Sequence, residues 1–382
     1  MRDYIAFAIP FFFLLIGAEL LWARARGVRV YRLSDALTDL SCGVTAQVVA
    51  LLYTAFLLSL YTWLYESQRL VRFESAWPVW LVAFFGVDFA YYWWHRASHE
   101  VNVLWAAHIV HHQSEDYNLA VALRQSVLTS FTSLPFYTPL ALLGVPVVPF
   151  ATVHAFSTLY QFWIHTRLIG AKRGWLDYVF NLPSHHRVHH AINPRYLDKN
   201  YGATLIIWDR WFGTFAEEEE VPVYGTTKPL GSFNPWWAQV HYWWELAQTS
   251  WRAPRVMDKF RVWWKPPSWH PYGLPVEAHA SVREQNIEAH ASVRTSIKYE
   301  VPVSGALAAY LLVHYAFLIV GATALILYAK QLPNPFLWAA IAAVLLAVLA
   351  FGALLERKWW GLPMETLRLI ASVALGLSLY LS

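Results

Sequence analysis

The chain has 382 residues, of which 57% are hydrophobic and only 14% charged, with a formal net charge of +4 and a mean hydropathy of +0.33. Soluble domains carry about 25% charged residues, so this composition excludes an ordinary soluble protein, and 22 Trp, 21 Tyr and 22 Phe exclude a disordered one. The single Cys42 excludes a disulfide framework and any cysteine-built zinc ribbon or iron–sulfur cluster.

What remains is an integral membrane protein. Its basic balance fits Lys and Arg gathered on one membrane face. No basic block is interleaved with stacking aromatics, so no nucleic-acid partner is expected. In chain order, the apolar runs predict membrane helices over Tyr4–Trp22, Gly43–Tyr65, Trp77–Trp94, Val127–Gly144, Val145–Trp163, Val303–Tyr328 and Phe336–Leu355, with Leu369–Leu381 as a short eighth. The first run ends in basic residues without a cleavage pattern and is expected to be retained. The fourth and fifth runs meet at Gly144 and Pro146, so they are also candidates for a hairpin that dips in without crossing.

Charge orients these segments. Arg24, Arg26, Arg29 and Arg32 place the first connection in the cytoplasm; the same orientation brings His95, residues 166–300 and Arg357–Lys358 to that face. The expected organisation is N-terminal transmembrane helices (1–76), a catalytic domain (77–245), a cytoplasmic linker (246–300) and C-terminal transmembrane helices (301–382). The linker holds a repeat, EAHASVR at 277–283 and 288–294, which reads as a small duplication on one helix face; His279 and His290 have no neighbouring ligand in it.

Chemistry concentrates in three histidine clusters: HRASH (His95, His99), HIVHH (His108, His111, His112) and HRVHH (His186, His189, His190). Spacings of three and four stack side chains on one helix face, so each cluster can aim two or three imidazoles at one point. His165, in QFWIHT, falls at the membrane depth of His95 and is a candidate ninth ligand. His185 points about 100° away from His186 and is expected outside the ligand set. His154, His241, His270 and His314 are expected to be packing residues. Eight or nine imidazoles exceed the three or four ligands of one zinc site, so two ions are expected. Imidazole suits iron, zinc, copper and nickel alike. No HExxH, GxSxG, Walker or Glu-x-x-His pattern is present, which disfavours zinc and serine hydrolysis and carboxylate-bridged bundles.

Asp88 lies two turns before His95 in an otherwise apolar helix. A membrane carboxylate needs a partner, and orienting an imidazole is its expected use. Glu115, Asp116 and Asn118 follow the second cluster, and Asp198, Asn200 and Tyr201 the third; either set is suited to binding a lipid headgroup or reductant, or to capping helices.

The order HRASH, HIVHH, HRVHH resembles the eight-histidine pattern of the fatty acid hydroxylase/sterol desaturase superfamily of membrane di-iron oxygenases. HHQSEDYNLAVALRQSV at 111–127, HHRVHHAINPRYLDKNYG at 185–202, LIIWDRWFGTF at 205–215 and YGTTKPLGSFNPWW at 224–237 look like its alkylglycerol monooxygenase branch. The resemblance implies an all-α polytopic membrane helix bundle with a cytoplasmic histidine-rich di-metal cap. It implies two Fe ions held by His95, His99, His108, His111, His112, His186, His189 and His190, with His165 as the further candidate, and zinc as a substitute in purified protein. One departure is Gln161, where related hydroxylases place a histidine four residues before His165. Glu115 carries over as an acidic residue needed for activity, so the candidate catalytic residues are Glu115, Asp88 and Asn118. The implied reaction uses O2 and a reductant, a tetrahydropterin in that branch, to hydroxylate the carbon beside a glycerol ether oxygen of a membrane lipid. Fatty-acyl, ornithine-lipid or sterol hydroxylation or desaturation by the same superfamily is the alternative. A metal transporter is disfavoured, because its sites belong near the bilayer midplane.

Overall fold

The computed structural model describes residues 4–171, 174–274 and 298–381, so the repeat at 277–294 lies outside the described residues. Among these residues the regular structure is helical, with two isolated antiparallel bridges, Phe180 to Leu205 and Ala191 to Tyr224. In chain order the helices are α1 (Tyr4–Ala25), α2 (Leu33–Ala50), α3 (Thr54–Gln68), α4 (Ala76–Glu100), α5 (Asn102–His112), α6 (Thr129–Leu142), α7 (Val147–Trp163), α8 (Trp175–Val179), α9 (Pro183–His189), α10 (Ile207–Phe212), α11 (Pro235–Arg252), α12 (Val256–Trp264), α13 (Gly305–Tyr328), α14 (Asn334–Leu355) and α15 (Gly361–Leu381).

Among the described residues three helices are long and apolar enough to cross a membrane: Phe7–Ala25 of α1, α13 and α14. The pair α2 and α3, bent by 58°, makes a fourth if it is one span. This is fewer than the seven or eight expected, and each difference has a cause. The expected span Gly43–Tyr65 is broken at residues 51–53, where the Tyr53 hydroxyl donates to the Val127 carbonyl (3.0 Å) and its ring meets Phe131. Its first half starts ten residues early, at Leu33, and buries Asp35 and Asp39 against protein. At 1.5 Å per residue, α6 and α7 (14 and 17 residues) reach roughly 21 and 26 Å, short of a hydrocarbon core of about 30 Å. The apolar stretch of α4 is interrupted by Asp88 and runs out into HRASHE. Helix α15 carries the buried ion pair Glu365–Arg368, tied to Tyr310 and His314 of α13.

The turn between α6 and α7 falls at Gly144 and Pro146 as the sequence predicts. Gly144 has φ +87°, and a Cβ there would stand 2.2 Å from the Val71 carbonyl oxygen. Two apolar packs form the scaffold. One joins α2, α13 and α14 through Leu37, Val48, Leu311, Tyr315, Val348 and Phe351. The other joins α3, α4, α6 and α7, with the Tyr61 and Phe150 rings stacked at 4.3 Å. The outer face of α4 exposes Trp77, Trp80, Phe84, Phe85 and Phe89, a surface suited to acyl chains.

Candidate metal centre

Each histidine cluster arrives on its own element. His95 and His99 end α4; His108, His111 and His112 end α5; His186 and His189 lie on α9 with His190 at its C-cap; His165 stands just past α7. The fold brings all nine together in two groups. His95, His99, His108, His112 and His189 form one; His111, His165, His186 and His190 form the other. Within each group one ring nitrogen per residue lies within 4.8 Å of all the others.

Backbone carbonyls set the direction of four rings. A carbonyl oxygen only accepts, so a ring nitrogen bonded to it must carry the proton. His95 Nδ1 donates to Tyr201 O (2.8 Å), His111 Nδ1 to Arg124 O (2.9 Å), His165 Nδ1 to Gln161 O (2.7 Å) and His189 Nδ1 to Lys199 O (3.0 Å). In the neutral imidazole each Nε2 is then a bare lone pair facing inward. Gln161, the departure from the family pattern, thus contributes its carbonyl while its side chain bonds Ser157.

This arrangement fits metal ions and little else. The Nε2 atoms of His111 and His165 face each other at 3.3 Å, two acceptors with no proton to share. In the other group the buried Nε2 atoms of His99 and His189 have no hydrogen-bond partner. Protonation is disfavoured as a remedy: burial, then neighbouring imidazoles, hold His108, His112, His186, His189 and His190 well below the usual histidine range, and burial pushes His111 down to about 4. Neutral, preoriented imidazoles are what a transition metal requires. Five ring nitrogens gather in one group and four in the other, so each group could hold a metal ion.

The residues behind the rings are set in turn by buried charge. Asp88 does not bond His95 as the helix spacing suggested. Its carboxylate accepts from Thr204 N (2.8 Å), Leu205 N (3.2 Å) and Trp208 Nε1 (2.8 Å). Asp209 accepts from Tyr201 N and Gly202 N, both at 2.7 Å. Together these two carboxylates clamp the turn whose Tyr201 carbonyl orients His95, so Asp88 acts on the ring through the backbone. Asp88→Asn leaves one of those three donors poorly paired, a cost of about 1–3 kcal/mol, and is expected to lower metal occupancy roughly 10- to 100-fold. Metal analysis of the purified variant at wild-type yield checks this; unchanged occupancy would mean the turn holds without its clamp.

The other two catalytic candidates are also placed away from the rings. Glu115 belongs to neither group: its Oε2 accepts from Tyr299 N (2.7 Å) and lies 3.5 Å from Arg32, and it lines a polar cleft with Asp35, Gln113, Arg124 and Phe233. Asn118 is spent on the backbone, donating to Val30 O and accepting from Ala120 N. His185 belongs to neither group, as expected, and its Nε2 lies 3.0 Å from Asp177. His154 packs against Tyr137 and Phe150, and His314 meets Arg368.

Besides Asp209, three further positioning residues escaped the sequence analysis. Glu19, in the first apolar helix, accepts from Leu119 N (2.9 Å), Thr166 Oγ1 (2.5 Å) and the Tyr31 hydroxyl, fixing α1 beside His165. It gives the same signal as Asp88, a carboxylate in an apolar run. Arg187 pairs with Glu218 and donates to Thr166 O and Ile169 O, holding the segment after His165. Arg124 donates to Val110 O (2.7 Å), Asp39 (3.0 Å) and Gln113 (2.6 Å) while its own carbonyl orients His111. No sequence spacing marks the last two.

Fold and centre define a class: a helical protein with membrane-type helices and two histidine groups that could each hold a metal ion. Residues 80–214, which hold all nine histidines, match the fatty acid hydroxylase family. The chain is 41% identical to alkylglycerol monooxygenase of Homo sapiens over 374 residues, covering 96% of this chain and 81% of that protein. It is 46% identical to alkylglycerol monooxygenase of Danio rerio over 272 residues (70% and 60%), and 30% identical to an ornithine lipid hydroxylase of Rhizobium tropici over 178 residues (44% and 53%). No solved structure matches it. The chain belongs to the fatty acid hydroxylase family, with alkylglycerol monooxygenases among its relatives.

Proposed function

We propose that this chain is a membrane-bound non-haem di-iron monooxygenase that hydroxylates a lipid, cleaving the ether bond of alkylglycerols. The observation that carries the reading is the convergence of nine imidazoles into groups of five and four. Two irons held there would supply O2 activation and insertion of one oxygen atom into a C–H bond, the second oxygen leaving as water with two electrons from a reductant of the tetrahydropterin class. Hydroxylation of the carbon beside the ether oxygen gives a hemiacetal, which collapses to an aldehyde and a free glycerol. The chain's own residues orient four of the rings through carbonyls and exclude water from the groups by burial. The long match to alkylglycerol monooxygenases favours the ether substrate. The match to an ornithine lipid hydroxylase supports a second reading, hydroxylation of a fatty-acyl or ornithine lipid without cleavage.

We place the catalytic unit at residues 77–245, around the matched region, and the metal centre on the cytoplasmic side. Supporting this orientation, the first basic connection touches the centre's loops: Arg32 bonds Asp116 (3.1 Å), and Arg167 bonds the Arg29 carbonyl. At the end of α14, beside Arg357 and Lys358, Glu356 accepts from Phe233 N.

The test is turnover of purified, iron-loaded protein with 1-O-alkylglycerol, fatty-acyl and ornithine lipids under labelled O2, read by mass spectrometry. Fatty aldehyde and free glycerol from the alkylglycerol, dependent on O2 and reductant, are expected. Hydroxylated product from the acyl lipids alone would select the second reading, and no O2-dependent product from any lipid would refute both.

A further inference from the structure

Helices α11 and α12 form a hairpin that the metal chemistry does not use. Its inner face is pinned. The Asn102 side chain, at the start of α5, donates to Val262 O (2.9 Å) and accepts from the Tyr242 hydroxyl (2.6 Å), and Asn102 N donates to Lys265 O (3.1 Å). At the other end, α11 starts against a candidate span: Pro235 packs on Gly352 of α14, and Trp236 Nε1 donates to Leu345 O (3.4 Å). The hairpin therefore leaves from the end of a membrane-type helix and crosses to the helix that carries three histidines.

Its outer face is apolar and unusually large in its side chains. On α12, Val256, Met257, Phe260 and Trp264 fall one and two turns apart on one stripe, exposed by 62–70%. Trp251 at the end of α11 is 83% exposed, and Trp244 continues the surface. Cations rim it: Arg252, Arg255, Lys259, Arg261 and Lys265. The two carboxylates of the same stretch are already engaged, Glu245 with Lys228 (2.8 Å) and Asp258, buried, with Arg261 (3.3 Å). Arg255 and Lys259 lie over the rings of Tyr272 and Trp251. Large apolar side chains gathered on one exposed face mark an interaction surface. Tryptophans with Lys and Arg at their edge match the boundary of a bilayer, where the rings enter the acyl region and the cations meet phosphate.

We propose that the α11–α12 hairpin lies in the membrane interface, its outer face docked on anionic lipid of the bilayer that the apolar helices span. The charge surplus selects anionic headgroups, and the attachment of α11 to α14 places the face at the correct border. Through Asn102, the lipid surface then bears on the ligand helix α5.

Site-directed spin labelling of the full chain tests this, because the single native cysteine, Cys42, is fully buried. Phe260→Cys and, separately, Trp264→Cys are labelled and reconstituted in nanodiscs of phosphatidylcholine with or without phosphatidylglycerol. In anionic discs both labels are expected to collide with O2 in preference to a water-soluble nickel chelate, at a depth of about 5–10 Å below the headgroups. Adding Arg255→Glu and Lys259→Glu should return the labels to the chelate in anionic discs. Chelate-accessible labels in anionic discs would overturn the proposal. So would a depth that ignores lipid charge and charge reversal, or spin–spin broadening that vanishes on dilution with unlabelled protein, which would make the occupant a second copy.

Discussion

His111→Ala is expected to abolish turnover while the protein still accumulates in the membrane at near-wild-type yield. His111 is the residue of α5 that reaches the four-histidine group, and its ring is aimed by the Arg124 carbonyl. No other imidazole can take its place, because His108 and His112 belong to the five-histidine group. Loss of a residue that only supports a ligating histidine typically costs 10- to 100-fold; removing the ligand itself should cost more than about 100-fold and empty one site. The fold should survive, since the scaffold rests on apolar packs to which His111 does not contribute. His185→Ala, one position before a ligand but bonded to Asp177, is the control and should keep activity within a few-fold. Parallel measurement of yield, metal content and turnover checks the pair. Equal losses at both positions would mean the two groups do not define the centre.

Arg124→Met should give the largest loss of stability. The guanidinium is buried and bonds the Asp39 carboxylate, the Gln113 amide oxygen and the Val110 carbonyl. Methionine keeps the apolar stem but strands Asp39, which has no exposure to water. Removing one partner of a buried ion pair costs about 3–5 kcal/mol, because the remaining charge is left uncompensated. Adding Asp39→Asn removes that charge and should restore part of the loss. Thermal unfolding in detergent of the single and double variants measures this, and a double variant no more stable than the single would show that Asp39 is not what Arg124 compensates.

Eight of the nine histidines were legible because helical spacing makes ligand clusters visible: i, i+3 and i+4 place imidazoles on one face whatever the helices later pack against. Even His165 could be placed, from its position at the end of an apolar run. What directs the rings was not legible. Tyr201, Arg124, Gln161 and Lys199 contribute backbone carbonyls, and a carbonyl has no signature in the residue type. Asp88 was noticed for the right reason, a carboxylate in an apolar helix, yet its partners lie more than a hundred residues away in the 204–208 turn. The number of spans was overread because hydropathy does not distinguish lipid from protein as the neighbour. The run predicted over Gly43–Tyr65 is broken near residue 52, and its first half belongs to a helix that begins at Leu33 and buries Asp35 and Asp39 against Ser114 and Arg124.

The central claim, that the two histidine groups hold two ions and that iron supports turnover, is tested most directly by elemental analysis of detergent-purified, turnover-competent protein. The account predicts two metal ions per chain, with activity rising with iron content and a zinc-loaded preparation folded but inactive, since imidazole sites bind zinc well without gaining its redox chemistry. One ion per chain, or none, in fully active protein would contradict it.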